Sequence, residues 1–89
     1  MTAEGADSAA LLDLIRSIAT ELVDNPAEVE VSAVAGASND QNLVIELRVA
    51  QGDVGKVIGK EGRTAQSMRT ILSAVSQKVG RRAHLDIVD

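Results

Sequence analysis

The aliphatic residues follow two different spacings, and the order of these spacings strongly limits the folds open to this chain. A step of three or four residues is typical of an amphipathic helix, and a step of two residues is typical of a half-buried strand. Helical steps cover about 8–23, 52–58 and 63–79, whereas two-residue steps cover 28–34, 43–50 and 82–88. The sequence therefore predicts an α+β domain with the order helix, strand, strand, helix, helix, strand.

Turn-forming residues separate these segments. Pro26 disfavours helical geometry at the residue before it, so the first helix is predicted to end at the sequence DNP. The run 36–42 has turn composition throughout and predicts the loop of an antiparallel hairpin. Asp53 is a possible cap of the short helix 52–58, and Gly80 is a helix stop.

The core has to be built from aliphatic side chains, because the 89 residues include no Phe, Tyr or Trp. This length allows one small domain, predicted to span 8–89 after a flexible polar leader at 1–7. Asp7 or Ser8 is the predicted cap of the first helix. The predicted core seam of the last helix consists of Ala65, Met68, Leu72, Val75 and Val79.

Composition also argues against several kinds of site. The absence of cysteine excludes disulfides, thiolate zinc sites and thiol nucleophiles. His84 is the only histidine and the carboxylates form no acid/base pair, so we predict no metal site, no cofactor, no small-molecule substrate and no enzyme activity. There is no signal peptide or long apolar run, which predicts a cytoplasmic protein that does not associate with a membrane.

Charge is divided unevenly along the chain. The net charge is −4, but residues 54–82 contain seven basic residues against Glu61 alone, whereas residues 1–51 contain nine acidic residues against two basic ones. Because local charge sets the field at a binding face, the basic region indicates an anionic partner. The alternative is that these cations simply lie on solvated helix surface.

The stretch GKVIGKEGR, residues 55–63, places three glycines and three basic residues within nine positions. Its Gly-x-x-Gly match at 59–62 lies between two predicted helices. Glycines allow the backbone to approach a phosphate closely, and the helix that starts near Arg63 offers unpaired N–H groups to an anion. The spacing does not fit a Walker loop or a dinucleotide-binding turn.

This arrangement resembles the KH domain, in its helix-first type II form. The residues that carry the resemblance are VIGKEGR at 57–63, between two short helices, followed by an amphipathic helix and a last strand. The chain is most similar to the small single-domain bacterial proteins called KhpA, through LVDNPAEVEV, DVGKVIGKEGRTAQSMRTIL and HLDIVD. The resemblance implies a three-stranded sheet with the helices packed on one face.

The resemblance also implies which residues contact RNA. KH loops clamp the backbone of about four nucleotides. Carried onto this sequence, the RNA-binding residues are Lys56, Val57, Ile58, Gly59, Lys60, Glu61, Gly62 and Arg63. An apolar groove beside the loop would be flanked by Val57, Ile58 and part of the strand 43–50. Core packing of the short helix is the alternative for Val57 and Ile58.

By the same resemblance we expect a single-stranded RNA-binding protein. The resemblance further implies work as an RNA chaperone or post-transcriptional regulator, often beside a larger KH partner, KhpB, with links to cell shape and the cell envelope. The absence of aromatic rings predicts low sequence selectivity, because bases have no ring on which to stack. The alternative is a protein-interaction module that dimerises and retains only vestigial RNA binding.

Ile71 and Ala74 are the candidate residues for a homodimer interface. At 100° per residue Ile71 lies roughly 80° from the centre of the core seam, beside small or long-stemmed residues. Such a site allows a second helix to approach closely. The alternative is that Ile71 packs against the edge of the first helix.

Overall fold

The structure, a computed structural model, describes residues 3–35 and 42–88. The predicted hairpin loop therefore lies almost entirely outside the described residues, and so do the side chains of 3–8, 35 and 42. The described elements are α1 Ala3–Leu22, β1 Glu30–Ala35, β2 Asn42–Arg48, α2 Val54–Ile58, α3 Arg63–Lys78 and β3 Arg82–Val88. The predicted order of helices and strands is confirmed.

The three strands form one mixed sheet in the order β1-β2-β3. β1 pairs antiparallel with β2, as the hairpin prediction required, and Val31 lies opposite Leu47. β2 pairs parallel with β3, and Ile45 lies opposite Leu85. A parallel pair needs a crossover connection, which here runs through α2 and α3. β2 is consequently the central strand, and β3 is an edge strand of the sheet that the structure describes.

The core lies between the sheet and the helices. Alternation along β2 buries Leu43, Ile45 and Leu47 on one face, as the two-residue step predicted. These side chains pack in one apolar cluster with residues of α1, α2 and α3. The buried members from the helices are Leu11, Ile15, Ala19, Val57, Met68 and Leu72.

The core seam of α3 differs from the prediction at its last position. Val79 is 36% exposed, whereas Ser76 is buried and its hydroxyl donates a hydrogen bond to the carbonyl oxygen of Ser73. α3 ends at Lys78, and Gly80 then adopts a left-handed φ of 75°. This C-terminal turn takes Val79 out of helical geometry, and therefore out of the seam.

The first helix also begins earlier than predicted. It starts at Ala3, five residues before the predicted start at residue 8, so Asp7 and Ser8 lie within it and do not cap it. The flexibility of the leader 1–7 remains a prediction. Within the described ranges, no helix has the length and hydropathy needed to cross a membrane.

Candidate nucleic-acid interface

Residues 59–62, called the glycine loop below, connect α2 to α3 in a conformation that depends on glycine. Gly59 has φ 78° and ψ 174°, and Gly62 has φ 74° and ψ 11°. The N–H of Gly62 donates a hydrogen bond to the carbonyl oxygen of Gly59 at 3.1 Å. A Cβ added at Gly59 would lie 2.6 Å from the Cβ of Thr64 and 2.9 Å from its backbone nitrogen. The loop therefore packs too tightly against α3 for a side chain at Gly59.

The glycine loop presents positive charge at the start of a long helix. Lys60 is exposed and, among the residues that the structure describes, forms no ion pair. No side chain caps the first turn of α3, whose first residue is Arg63. The N–H of Arg63 donates to the carbonyl oxygen of Lys60, whereas the next N–H groups of that turn carry partial positive charge and lack partners within the helix. An anion held there would meet backbone donors and the Lys60 ammonium together.

Glu61 is the one acidic residue in this loop. Its φ of 58° and ψ of 26° are left-handed, a conformation that residues other than glycine rarely adopt. Its carboxylate lies 3.3 Å from the Arg63 guanidinium, and both side chains are mostly exposed. An exposed pair of this kind contributes ~0–1 kcal/mol and can be exchanged for a bound phosphate at little cost.

The residues before the loop divide into buried and exposed positions. Val57 is completely buried in the core, so the prediction that it lines a groove is wrong and its alternative, core packing, is correct. Ile58 is 37% exposed and remains available at the surface. Lys56 is exposed too, but its ammonium pairs with the carboxylate of Asp24 at 3.3 Å.

Asp53 has a role that local sequence rules did not indicate. Its side chain makes no capping hydrogen bond to α2, and the cap prediction is wrong in that respect. The buried carboxylate instead accepts hydrogen bonds from the backbone N–H groups of Asp24 and Asn25 and from the Asn25 side-chain amide, at 3.3, 3.0 and 3.1 Å. Burial alone would raise the pKa of Asp53, but these hydrogen bonds and the Lys56 charge outweigh it and hold the pKa below its usual value.

A basic cleft of about 580 Å³ lies between α3 and β3. It is lined by Arg69, Ser73, Ser76, Gln77, Arg81, Arg82, Ala83, His84 and Leu85. Its lining among the described residues includes three arginines and no carboxylate. The strand beside this cleft is β3, which supplies Arg82, Ala83, His84 and Leu85. The strand predicted to flank an apolar groove, 43–50, corresponds to β2 and does not line the cleft.

The cleft forms because the C-terminal turn of α3 folds the chain back. Arg69, Ser73 and Gln77 are four residues apart and therefore share one flank of α3. After Gly80, the N–H of Arg81 donates a hydrogen bond to the carbonyl oxygen of Ser76, which starts β3 alongside this flank. The charge excess of residues 54–82 was the sequence signal for this site, although it did not locate the cleft.

Of the two candidate dimer residues, Ile71 lies on the other side of α3 from the cleft. Ile71 is 43% exposed and Ala74 is exposed, so neither is a core residue. Ile71 and Ser73 are about 160° apart around the helix axis. A partner that covers Ile71 would therefore leave the basic cleft open.

Comparison with known proteins places this chain in a family. A sequence model of the KH domain of KhpA and KhpB matches residues 12–87. The chain belongs to the KhpA/KhpB KH-domain family. The RNA-binding protein KhpA of Aquifex aeolicus is 46% identical over 80 residues, which cover 90% of this chain and 98% of the relative. The RNA-binding protein KhpA of Treponema pallidum is 47% identical over 77 residues, covering 86% of this chain and 92% of the relative.

Solved structures share the KH fold at lower identity. Aquifex aeolicus Era bound to GDP and AlF4− superposes with a TM-score of 0.57 at 22% identity, over 88% of this chain and 29% of Era. Era in complex with MgGDPNP and a segment of 16S ribosomal RNA superposes with a TM-score of 0.56, also at 22% identity. The chain spans less than a third of Era, and the likeness is one of fold. The helix-first order α-β-β-α-α-β is that of a type II KH domain.

The KH assignment bears on the other kinds of site as well. The described part of the chain contains no group of three or more His, Cys, Asp or Glu side chains that could hold a metal ion. His84 lines the basic cleft, beside Arg82 and Leu85. The cationic groups near this cleft therefore suit an anionic ligand.

Proposed function

We propose that this protein binds single-stranded RNA, with one phosphate group at the glycine loop and the strand continuing along the basic cleft. The observation that carries the proposal is the position of Lys60, exposed in a loop shaped by Gly59 and Gly62, at the uncapped start of α3. Relatives that share almost half of their residues with this chain are named RNA-binding proteins, which supports RNA as the anionic ligand.

The cleft extends the contact beyond the loop. From Arg63 to Gln77 the axis of α3 rises by ~21 Å, so the loop and the far end of the cleft are separated by several nucleotides. Arginine side chains and the donors of Ser73 and Gln77 recognise phosphates and sugars and carry little sequence information. We therefore infer RNA binding of low selectivity, dominated by the backbone.

Reversing the charge of the glycine loop tests this assignment. The double variant Lys60→Asp, Glu61→Asp places two short carboxylates where a phosphate would lie. Asp also tolerates the left-handed conformation of position 61, so the loop keeps its shape. Binding to single-stranded RNA, measured by gel shift, should fall at least about tenfold while circular dichroism is unchanged.

A charge change far from the loop is the matched control. Lys78→Asp reverses one charge in the last turn of α3, and on a short RNA that spans one binding site it should alter affinity about threefold at most. RNA binding that survives the double loop variant at full strength would show that the loop is not the phosphate site.

The salt dependence of affinity reports the number of phosphates in contact. Four contacts at ~0.7 each give a slope of about −2.8 for log affinity against log salt, so a fourfold rise in salt weakens binding about 50-fold. Replacing Arg69 and Arg82 by Gln should reduce the steepness of this slope by up to ~1.4, because two cleft cations are lost. A slope near zero in the unmodified protein would favour the protein-interaction alternative.

We also infer that the Ile71 flank of α3 forms a protein interface, either with a second copy of this chain or with the KhpB-type partner. The exposure of Ile71 among small neighbours supports this second function. We further propose, by family resemblance, that the protein acts in the cytoplasm as an RNA chaperone or regulator connected with cell shape and the cell envelope. Pull-down of the protein from its own cells, followed by sequencing of bound RNA and identification of bound proteins, tests both parts.

A further inference from the structure

The glycine loop is attached to the rest of the molecule by a helix that is too short to hold its own position. α2 contains five residues, far fewer than an isolated helix needs in water. It supplies one buried side chain, Val57, to the core. The placement of the loop that follows α2 therefore depends on the contacts that α2 and its preceding turn make with other elements.

Those contacts lie on one side of the segment. Asp53, Lys56 and Val57 are spaced by three and four residues, so they share one face. Val57 enters the core, Lys56 pairs with Asp24, and Asp53 accepts three hydrogen bonds from Asp24 and Asn25. Asp24 and Asn25 form the turn that follows α1. This face thus connects the segment before the glycine loop to the end of the first helix.

We propose that Asp53 is a positioning residue for RNA binding: its carboxylate ties the segment before α2 to the turn after α1 and thereby fixes where the glycine loop lies. The proposal rests on the proposed function of that loop. Asp53 itself does not touch RNA. It raises the fraction of molecules whose loop is in the binding conformation, and the apparent dissociation constant equals the intrinsic one divided by that fraction.

Removal of Asp53 would change RNA affinity in one direction if the residue acts through its charge and in the other direction if it positions the loop. Asp53 is an acidic residue close to Lys56, and its removal makes the region before the loop more positive. If Asp53 acted only through charge, its removal would strengthen RNA binding. If Asp53 acts by positioning the loop, its removal weakens binding in spite of the more favourable charge.

The experiment measures RNA affinity and amide hydrogen exchange in Asp53→Ala and Asp53→Asn at a temperature where each variant is folded. We expect Asp53→Ala to bind a short single-stranded RNA about 5- to 10-fold more weakly. Amides of 54–62 should exchange about tenfold faster, whereas those of β2 change only by the global loss of stability. Asp53→Asn should have intermediate values of RNA affinity and amide exchange. Its amide oxygen still accepts hydrogen bonds, but its NH₂ group faces the N–H of Asp24.

The salt slope separates a positioning role from a direct contact. Loss of a phosphate contact would change the slope by ~0.7, whereas a smaller fraction of competent loops leaves the slope unchanged. Asp24→Asn is the matched control: it removes the same charge beside Lys56 while its backbone N–H still donates to Asp53. The Asp24–Lys56 pair that it removes is exposed and contributes only ~0–1 kcal/mol, so this control should bind RNA within about threefold of the unmodified protein.

The outcomes distinguish this proposal from the proposed function. If Asp53→Ala binds as tightly as the unmodified protein, or binds more weakly with a changed salt slope, the positioning role is wrong. If Asp53→Ala does not fold, the RNA affinity and the salt slope of Asp53→Asn test the positioning role instead. If the unmodified protein fails to bind RNA, or binding survives Lys60→Asp, Glu61→Asp, the proposed function of the loop is wrong instead.

Discussion

Replacing Gly59 by alanine is expected to weaken RNA binding by about 30-fold or more while the three-stranded sheet remains intact. The backbone of Gly59, at φ 78° and ψ 174°, lies in a region that is essentially restricted to glycine, where other residues pay ~1–3 kcal/mol. The added Cβ would also lie 2.9 Å from the backbone nitrogen of Thr64 in α3. If the substitution raises the free energy of the binding conformation of the loop by 2–3 kcal/mol, RNA affinity falls by ~30- to 150-fold.

Two other glycines provide graded controls for this variant. Gly62 also has a positive φ, but its Cβ would meet no atom within 4 Å, so Gly62→Ala should cost ~1–2 kcal/mol and weaken binding less. Gly55 has open space and no positive φ, so Gly55→Ala in α2 should leave binding unchanged and stabilise the fold by up to ~1 kcal/mol. Fluorescence anisotropy with labelled RNA and thermal unfolding measure the series. If Gly62→Ala weakened RNA binding more than Gly59→Ala, the close packing of Gly59 against Thr64 would not explain the effect.

The order of elements could be predicted because each element carries its own period. The alternation of Leu43, Ile45 and Leu47 fixed which face of β2 is buried, and a slip of one residue would have exposed all three. The 59–62 spacing similarly located the glycine loop between two helices. These features depend on neighbours within a few residues, so they are visible in the sequence.

Features that depend on distant neighbours could not be predicted in this way. Asp53 fits the local pattern of a cap, but its hydrogen-bond partners, Asp24 and Asn25, are almost thirty residues away. The start of α1 at Ala3 was missed because residues 3–7 contain no aliphatic repeat. The burial of Val57 is likewise set by the elements packed around a helix too short to show a period.

The sequence predicted the charge of the basic cleft but not its location. The excess of cations over 54–82 predicted an anion-binding region, and three of those cations, Arg69, Arg81 and Arg82, line the cleft. Its location required two facts that charge does not supply. β3 is an edge strand because β2 pairs on both sides, and Gly80 folds the chain back so that β3 runs beside α3.

Replacing Ile71 by arginine is expected to convert a dimer into a folded monomer. A two-fold axis through this flank of α3 would bring Ile71 against its own copy. Two arginines facing each other there would cost several kcal/mol, which weakens self-association at least about 100-fold. Because Ile71 is 43% exposed in the single chain, the melting temperature of the variant should match that of the unmodified protein at concentrations low enough to dissociate the dimer. Light scattering and thermal unfolding provide the two measurements.

A control on another face of the same helix isolates the interface. Thr70→Arg adds the same charge at an exposed position about 100° away around the helix axis, and it should leave the dimer intact. RNA affinity of the Ile71→Arg monomer should fall on long RNA, where a dimer can contact the strand at two sites, and stay unchanged on RNA that spans one site. A melting temperature far below that of the unmodified protein even at low concentration would show instead that Ile71 is part of the core. An unmodified protein that is monomeric at high concentration would contradict the homodimer whatever the variant does, and would leave the KhpB-type partner as the occupant of this flank.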